Sequence, residues 1–163
     1  MPATYEPIQT TTLGSAAASY TFSSIPSTYT DLKLVITGTS VGAYADIDLR
    51  FNSDTATNYS WTALAGNGTA ASSYRASTQT ATRMTNQGYM TSSQAVLIAD
   101  IMNYSNATTY KTVLSRSNNA VTGTDAVVGL WRSTAAITSV TVIGNGSNLA
   151  TGVSLTLYGI KAA

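Results

Sequence analysis

Apolar and polar residues alternate with a period of two along much of the chain, which is typical of β-strands with one buried face. In segment 31–37 the residues Leu32, Leu34 and Ile36 fall on one face. Alternation is clear in segments 31–37, 46–51, 139–143 and 152–158, and further strand candidates are 20–23, 59–64 and 111–117. The pattern therefore predicts strands along most of the chain.

Two short segments are apolar at nearly every position instead of every second one. They are 95–99 and 126–131. A continuous apolar run of this length, bounded by polar residues, predicts a strand that is covered on both faces.

Helix signals are weak, because the chain of 163 residues contains 28 Thr and 20 Ser. Both residue types lose side-chain freedom in helices or compete for backbone hydrogen bonds there. Glycine- and asparagine-containing turns separate the strand candidates. The sequence predicts an all-β fold, a two-sheet antiparallel β-sandwich that is jelly-roll-like and has about eight or nine strands.

Two regions depart from the alternation. Residues 1–14 contain Pro2 and Pro7 and are predicted to form an extended N-terminal arm before a single β-sandwich domain at 15–163. Residues 65–93 are polar and of low complexity, and a structureless loop of that length is unusual in a compact domain. This stretch is predicted either to contain polar strands, for example at 72–76 and 80–85, or to be a functional loop.

Composition excludes several kinds of chemistry. The chain has no His and no Cys, so the commonest general base, zinc-thiolate sites and disulfides are absent. Eight Lys and Arg against seven Asp and Glu give a net charge of only +1, which does not favour nucleic-acid binding. No apolar stretch approaches the ~20 residues of a membrane span, and the N-terminus lacks the pattern of a secretory signal.

Two acidic residues are the candidates for catalysis. Asp46 and Asp48 point to the same side of a predicted strand, and paired carboxylates can hydrolyse glycosides. Arg50 on the same face favours the alternative of a solvated, ion-paired strand face. The sequence thus predicts no enzyme, with no catalytic, metal-binding or cofactor-binding residue and no cofactor.

Exposed tyrosines are the better candidates for surface contacts, because aromatic side chains are favoured in binding sites. Tyr44, Tyr74 and Tyr89 lie in polar segments, and Arg75 is adjacent to one of them. These four residues are predicted to form an outward surface that contacts a ligand.

Three motifs carry a family resemblance. They are YTFSSIPSTYTDLKLVIT at 20–37, GLWRSTAAITSVTVI at 129–143 and SLTLYGIK at 154–161. In this order and spacing they resemble a group of small virion proteins of tailed bacteriophages, including phages of cyanobacteria.

The resemblance implies a β-sandwich that binds the outside of a phage head as a trimeric knob and stabilises it, that is, a capsid cement or decoration protein. It implies a homotrimer and the major capsid protein as partners, synthesis in the host cytoplasm, and a final location on the outer capsid surface of the virion. Thr4, Tyr5 and Ile8 of the arm are expected to contact the capsid. Similar sandwiches form the distal part of phage tail spikes, so a receptor-binding module that contacts a host surface glycan is the alternative.

Overall fold

The computed structural model describes residues 4–87 and 89–161, and this part of the chain forms strands and turns without any helix. The twelve strands are β1 (Tyr5–Thr12), β2 (Ser19–Phe22), β3 (Asp31–Gly38), β4 (Asp46–Phe51), β5 (Tyr59–Gly66), β6 (Ala71–Gln79), β7 (Thr82–Arg83), β8 (Ala95–Ile101), β9 (Lys111–Asn119), β10 (Gly123–Trp131), β11 (Val140–Asn145) and β12 (Ser154–Ile160). All of their pairings are antiparallel. The predicted all-β sandwich is confirmed.

The strands form one large and one small sheet. The eight-stranded sheet has the order β1-β12-β3-β8-β9-β10-β5-β6, and the four-stranded sheet has the order β2-β11-β4-β7. Without the hairpins β5–β6 and β9–β10, two four-stranded sheets remain, β1-β12-β3-β8 and β2-β11-β4-β7. The chain alternates between these sheets from β1 to β4 and again from β7 through β8 and β11 to β12. This is the topology of an eight-stranded jelly roll.

The two additional hairpins lengthen only one of the sheets. Strands β9, β10, β5 and β6 continue the large sheet beyond β8, and we call these four strands the extension. Among the residues that the structure describes, the small sheet has no corresponding strands. The loop and short strand between β6 and β8 place Thr82, Met84 and Met90 among the buried residues.

The core lies between the sheets and follows the alternation of the sequence. Every second residue of β3, β4 and β12 is buried. Three large aromatic residues fill one part of the core: Tyr59 stacks on Trp131 with 6.1 Å between ring centroids, and Phe51 contacts both. The apolar faces that the pattern predicted are thus the faces that meet.

All nine strands predicted from alternation or apolar runs are present, and β1 is a further strand. The alternative that the polar stretch 65–93 contains strands, for example at 72–76 and 80–85, is confirmed by β6 and β7. Strand β6 is the edge of the large sheet, and none of its residues is fully buried. An edge strand of this kind carries no apolar alternation, which explains why the sequence pattern did not define it.

The N-terminal segment departs from the prediction. Residues 5–12 pair with β12 as the other edge of the large sheet, with a register shift between Pro7 and Gln9. Proline is tolerated at such an edge because its missing N–H faces solvent or a bulge. Residues 5–12 therefore belong to the sandwich and do not form a separate arm. Met1, Pro2 and Ala3 lie outside the described residues.

Candidate functional site

The residues of the three sequence motifs meet in the fold and have structural roles there. Tyr29 lies against Gly159, at which a Cβ atom would approach the Tyr29 ring to 2.3 Å. The Tyr29 hydroxyl donates to Glu6 at 3.0 Å, and Lys161 pairs with Glu6 at 2.9 Å. The first and last motifs are thereby joined to each other and to β1.

The middle motif contacts the first motif through Tyr104. The Tyr104 hydroxyl donates to the carbonyl of Pro26, and the Tyr104 carbonyl accepts from the N–H of Ile137 at 2.9 Å. Ile25 donates its own N–H to the Thr138 carbonyl at 3.0 Å. These contacts give residues of the three motifs roles in packing and hydrogen bonding and involve no catalytic group.

The residues predicted to contact the capsid have different environments. Thr4 and Tyr5 are exposed, and Tyr5 retains 52% of its accessible surface. Ile8 packs against the hydrophobic core of its own chain. Because Ile8 is used internally, the expected capsid-contact set is not brought together as one outward surface.

The predicted outward surface is divided between two places. Tyr44 and Tyr89 form an edge-to-face pair with 5.6 Å between ring centroids. Tyr74 accepts a hydrogen bond at 3.3 Å from Gln87, which lies two residues before Tyr89 in the chain. Arg75 is paired with Thr62 on the opposite face of the sheet. Three of the four residues thus lie at one end of the sandwich, and Arg75 does not join them.

The two aspartates of β4 share one cation. Guanidinium nitrogens of Arg83 lie 3.1 Å from a carboxylate oxygen of Asp46 and 3.5 Å from one of Asp48. The guanidinium carbon also lies over the Trp61 ring, 5.1 Å from the ring centroid. Burial raises the pKa of Asp46 to about 6 and also raises the pKa of Asp48.

This arrangement supports the ion-paired alternative to a hydrolytic pair, but the cation is Arg83 and not Arg50, whose Nε–H donates to the Thr80 carbonyl at 3.1 Å. The two carboxylates are also largely buried, so the prediction of a solvated strand face is wrong.

A third carboxylate lies behind this ion pair. Asp125 is 3% exposed and accepts hydrogen bonds from the backbone N–H groups of Asn86 and Gln87 and from the Ser117 hydroxyl. It therefore holds the loop after β7 against the extension. No group of three or more acidic residues suited to a metal ion occurs among residues 4–87 and 89–161.

The outer face of the extension is the feature that the sequence did not predict correctly. Leu64, Leu114 and Val128 are 62%, 49% and 45% exposed there. The apolar run 126–131 predicted coverage of both faces, yet within one chain Ala126 and Val128 remain exposed. Cross-strand pairs place Val128 opposite Leu114, and Ala126 opposite Leu64. The result is a continuous apolar surface across neighbouring strands.

Comparison with protein-family models and with curated proteins finds no match to this chain. In the described residues no helix is present that is long and apolar enough to cross a membrane.

Proposed function

We propose that this protein is a structural virion protein of a tailed bacteriophage. In this proposal it is a cement or decoration protein that binds the outer surface of the head as a trimeric knob and stabilises it. Its partners are two further copies of itself and the major capsid protein. It is made in the host cytoplasm, ends on the outer capsid surface and has no enzymatic role.

The exposed apolar face of the extension is the observation that carries the proposal. Leu64, Leu114, Val128 and Ala126 are exposed side by side on neighbouring strands and form a contiguous apolar surface. Contiguous exposed apolar surface of this kind marks a site of contact with another protein. The fold does not use this face internally, and a surface that contacts another protein suits a role in assembly.

The architecture gives independent but weaker support. Jelly rolls are frequent in viral capsid proteins and in lectins. A fold does not determine a function by itself, so this is support by analogy. The motif resemblance to phage virion proteins agrees with it.

A cement role also fits the charge distribution. Charged residues make up only 9% of the chain. Low charge weakens repulsion between neighbouring copies on a crowded particle. Cyclic symmetry would repeat one modest contact three times per knob, which increases the overall affinity.

Copy number in purified virions tests this proposal. Quantitative mass spectrometry would compare the amount of this chain with that of the major capsid protein. Many copies in a simple whole-number ratio to the shell protein are expected for a cement protein. A few copies per particle would contradict the proposal and favour a tail location.

The alternative function is receptor binding by a phage tail spike or fibre. The exposed tyrosine pair favours it, since Tyr44 is 51% exposed and in edge-to-face contact with Tyr89. Aromatic side chains of this kind can contact a host surface glycan. Binding to a glycan array that is lost in Tyr44→Ala would support this alternative.

A further inference from the structure

The cross-strand register defines the composition of the outer face of the extension. One row contains Leu114, Val128 and Thr62, and the next row contains Arg116, Ala126 and Leu64. Arg75 continues the first row on β6, opposite Thr62. The face thus consists of an apolar centre with two arginines.

These two arginines differ from the other six cations of the chain. Arg75 and Arg116 are exposed, and neither makes a hydrogen bond or an ion pair within the described residues. Each remaining cation is bonded, namely Lys33, Arg50, Arg83, Lys111, Arg132 and Lys161. Both cations without a partner therefore lie on the same apolar face.

Every side-chain carboxylate of the chain already has a partner other than these two arginines. All seven side-chain carboxylates accept hydrogen bonds or pair with cations: Glu6, Asp31, Asp46, Asp48, Asp54, Asp100 and Asp125. A carboxylate from a second copy would therefore already be bonded within its own chain. A twofold contact through the face would place the same arginines of both copies within one interface, and a threefold contact would set it against another part of the next copy, where the carboxylates are likewise already bonded.

We infer that the outer face of the extension docks onto a protein surface that presents carboxylates around an apolar contact. This inference rests on the proposed function, under which that surface belongs to the outside of the capsid shell. The trimer contact must then lie elsewhere on the sandwich. Arginine is enriched in protein interfaces, and the centre of an interface is more apolar than its rim.

Other occupants fit the face less well. Its outward residues on β9, β10, β5 and β6 include no aromatic ring, whereas sugar-binding surfaces use aromatic stacking. Two arginines on a chain of net charge +1 are too few for nucleic-acid binding. Charge complementarity thus points to an acidic protein surface.

Binding to heads that lack the protein tests the inference. Purified heads from a phage with the gene deleted would be mixed with wild-type protein, with R75S/R116S, or with L114S/V128S, and bound protein measured by co-sedimentation. The two Arg substitutions change the net charge by −2. The control S15E/T151E makes the same change at exposed turn positions away from this face.

We expect both face variants to bind at least about tenfold more weakly than wild type, while the control stays within about twofold. Salt should weaken wild-type binding more than binding of R75S/R116S, because two ion pairs are lost in that variant. Circular dichroism and unfolding midpoints establish that each variant is folded.

Three results would overturn the inference. If wild type binds but R75S/R116S binds equally well, the face is wrong and the proposed function stands. If wild type does not bind heads, the proposed function is wrong and the inference falls with it. If L114S/V128S converts a wild-type oligomer into monomers in sedimentation velocity without heads, a second copy occupies the face.

Discussion

The ring of Tyr29 lies directly against Gly159, where a Cβ atom would stand 2.3 Å from Tyr29 Cγ. No side chain fits between them without displacement of the ring. The contact fixes the segment before β3 to the last strand, and it leaves the Tyr29 hydroxyl bonded to Glu6 on β1. Three segments far apart in the sequence are held together by this one close approach.

Gly159→Ala should lower the free energy of unfolding by about 1–3 kcal/mol, because the added methyl group forces the Tyr29 ring to move. Urea denaturation measures the change. Gly14→Ala is the matched control, since nothing lies within 4 Å of a Cβ atom there, and it should be nearly neutral. Equal effects of the two substitutions would mean that the Tyr29 contact does not constrain the fold.

Thr82 offers a test of an unsatisfied polar group. Its hydroxyl is buried against Gly129 and has no hydrogen-bond partner among the described residues. Thr82→Val should leave stability unchanged or raise it by about 1 kcal/mol, because a polar atom without a partner is removed. A substantial loss of stability would show that the hydroxyl is in fact bonded.

Thr85, three residues later, should respond in the opposite direction. Its hydroxyl accepts the N–H of Ile47 at 2.9 Å and donates to Asp46 at 3.2 Å. Thr85→Val should cost about 1–3 kcal/mol, since it leaves the buried N–H without an acceptor. Thermal unfolding of the two valine variants side by side gives the comparison.

The pH dependence of stability should differ between two aspartates. Burial raises the pKa of Asp46 to about 6, above its value in the unfolded chain. The folded state therefore binds more protons between about pH 4 and 6, and this group makes the protein more stable as the pH falls through that range. Relative to Asp46→Asn, wild type should gain stability on acidification from pH 7 to pH 4.

Asp54 provides the control of opposite sign. Burial acts to raise its pKa, but hydrogen bonds from Asn58, Trp131 and the Ala56 N–H outweigh burial and lower it. The stability that the ionised Asp54 side chain contributes is present above the pKa that this group has in the unfolded chain, and it is lost as the pH falls. Relative to Asp54→Asn, wild type should lose stability on acidification. Parallel profiles for the two variants would contradict both assignments.

The N-terminal strand gives a further prediction. Ile8 packs against the core, whereas Tyr5 is largely exposed. Ile8→Ala should cost about 1–2 kcal/mol, because the residue is half-buried and part of its apolar surface is lost. Tyr5→Ala should change stability by less than about 0.5 kcal/mol. Similar small effects at both positions would restore the idea of an independent arm.

Alternation and apolar runs were sufficient to predict six of the eight jelly-roll strands, because each of these has one buried face, but not β1 and β7. The sequence indicated β6 and β7 only as one alternative for a polar stretch, because an edge strand and a two-residue strand leave little periodic signal. It also does not reveal that Ile8 packs against the core of its own chain, because the adjacent Pro7 is a residue type that interrupts regular strand pairing.

The periodicity of apolar residues could not predict the exposed apolar face of the extension. The apolar run containing Ala126 and Val128 predicted a strand covered on both faces. The sequence does not specify whether residues of the same chain or of another molecule pack on each face. In the fold one face packs internally and the other is exposed. Only the register shows that Arg75 and Arg116 flank that face, since the two residues are 41 positions apart in the sequence.

A reconstruction of the virion by electron cryomicroscopy tests the central claim most directly. The account predicts density for trimers of the twelve-stranded sandwich on the outside of the head, where capsomers meet, with the extension facing the shell. Density for the sandwich at the tip of the tail, together with a bare head surface, would contradict it.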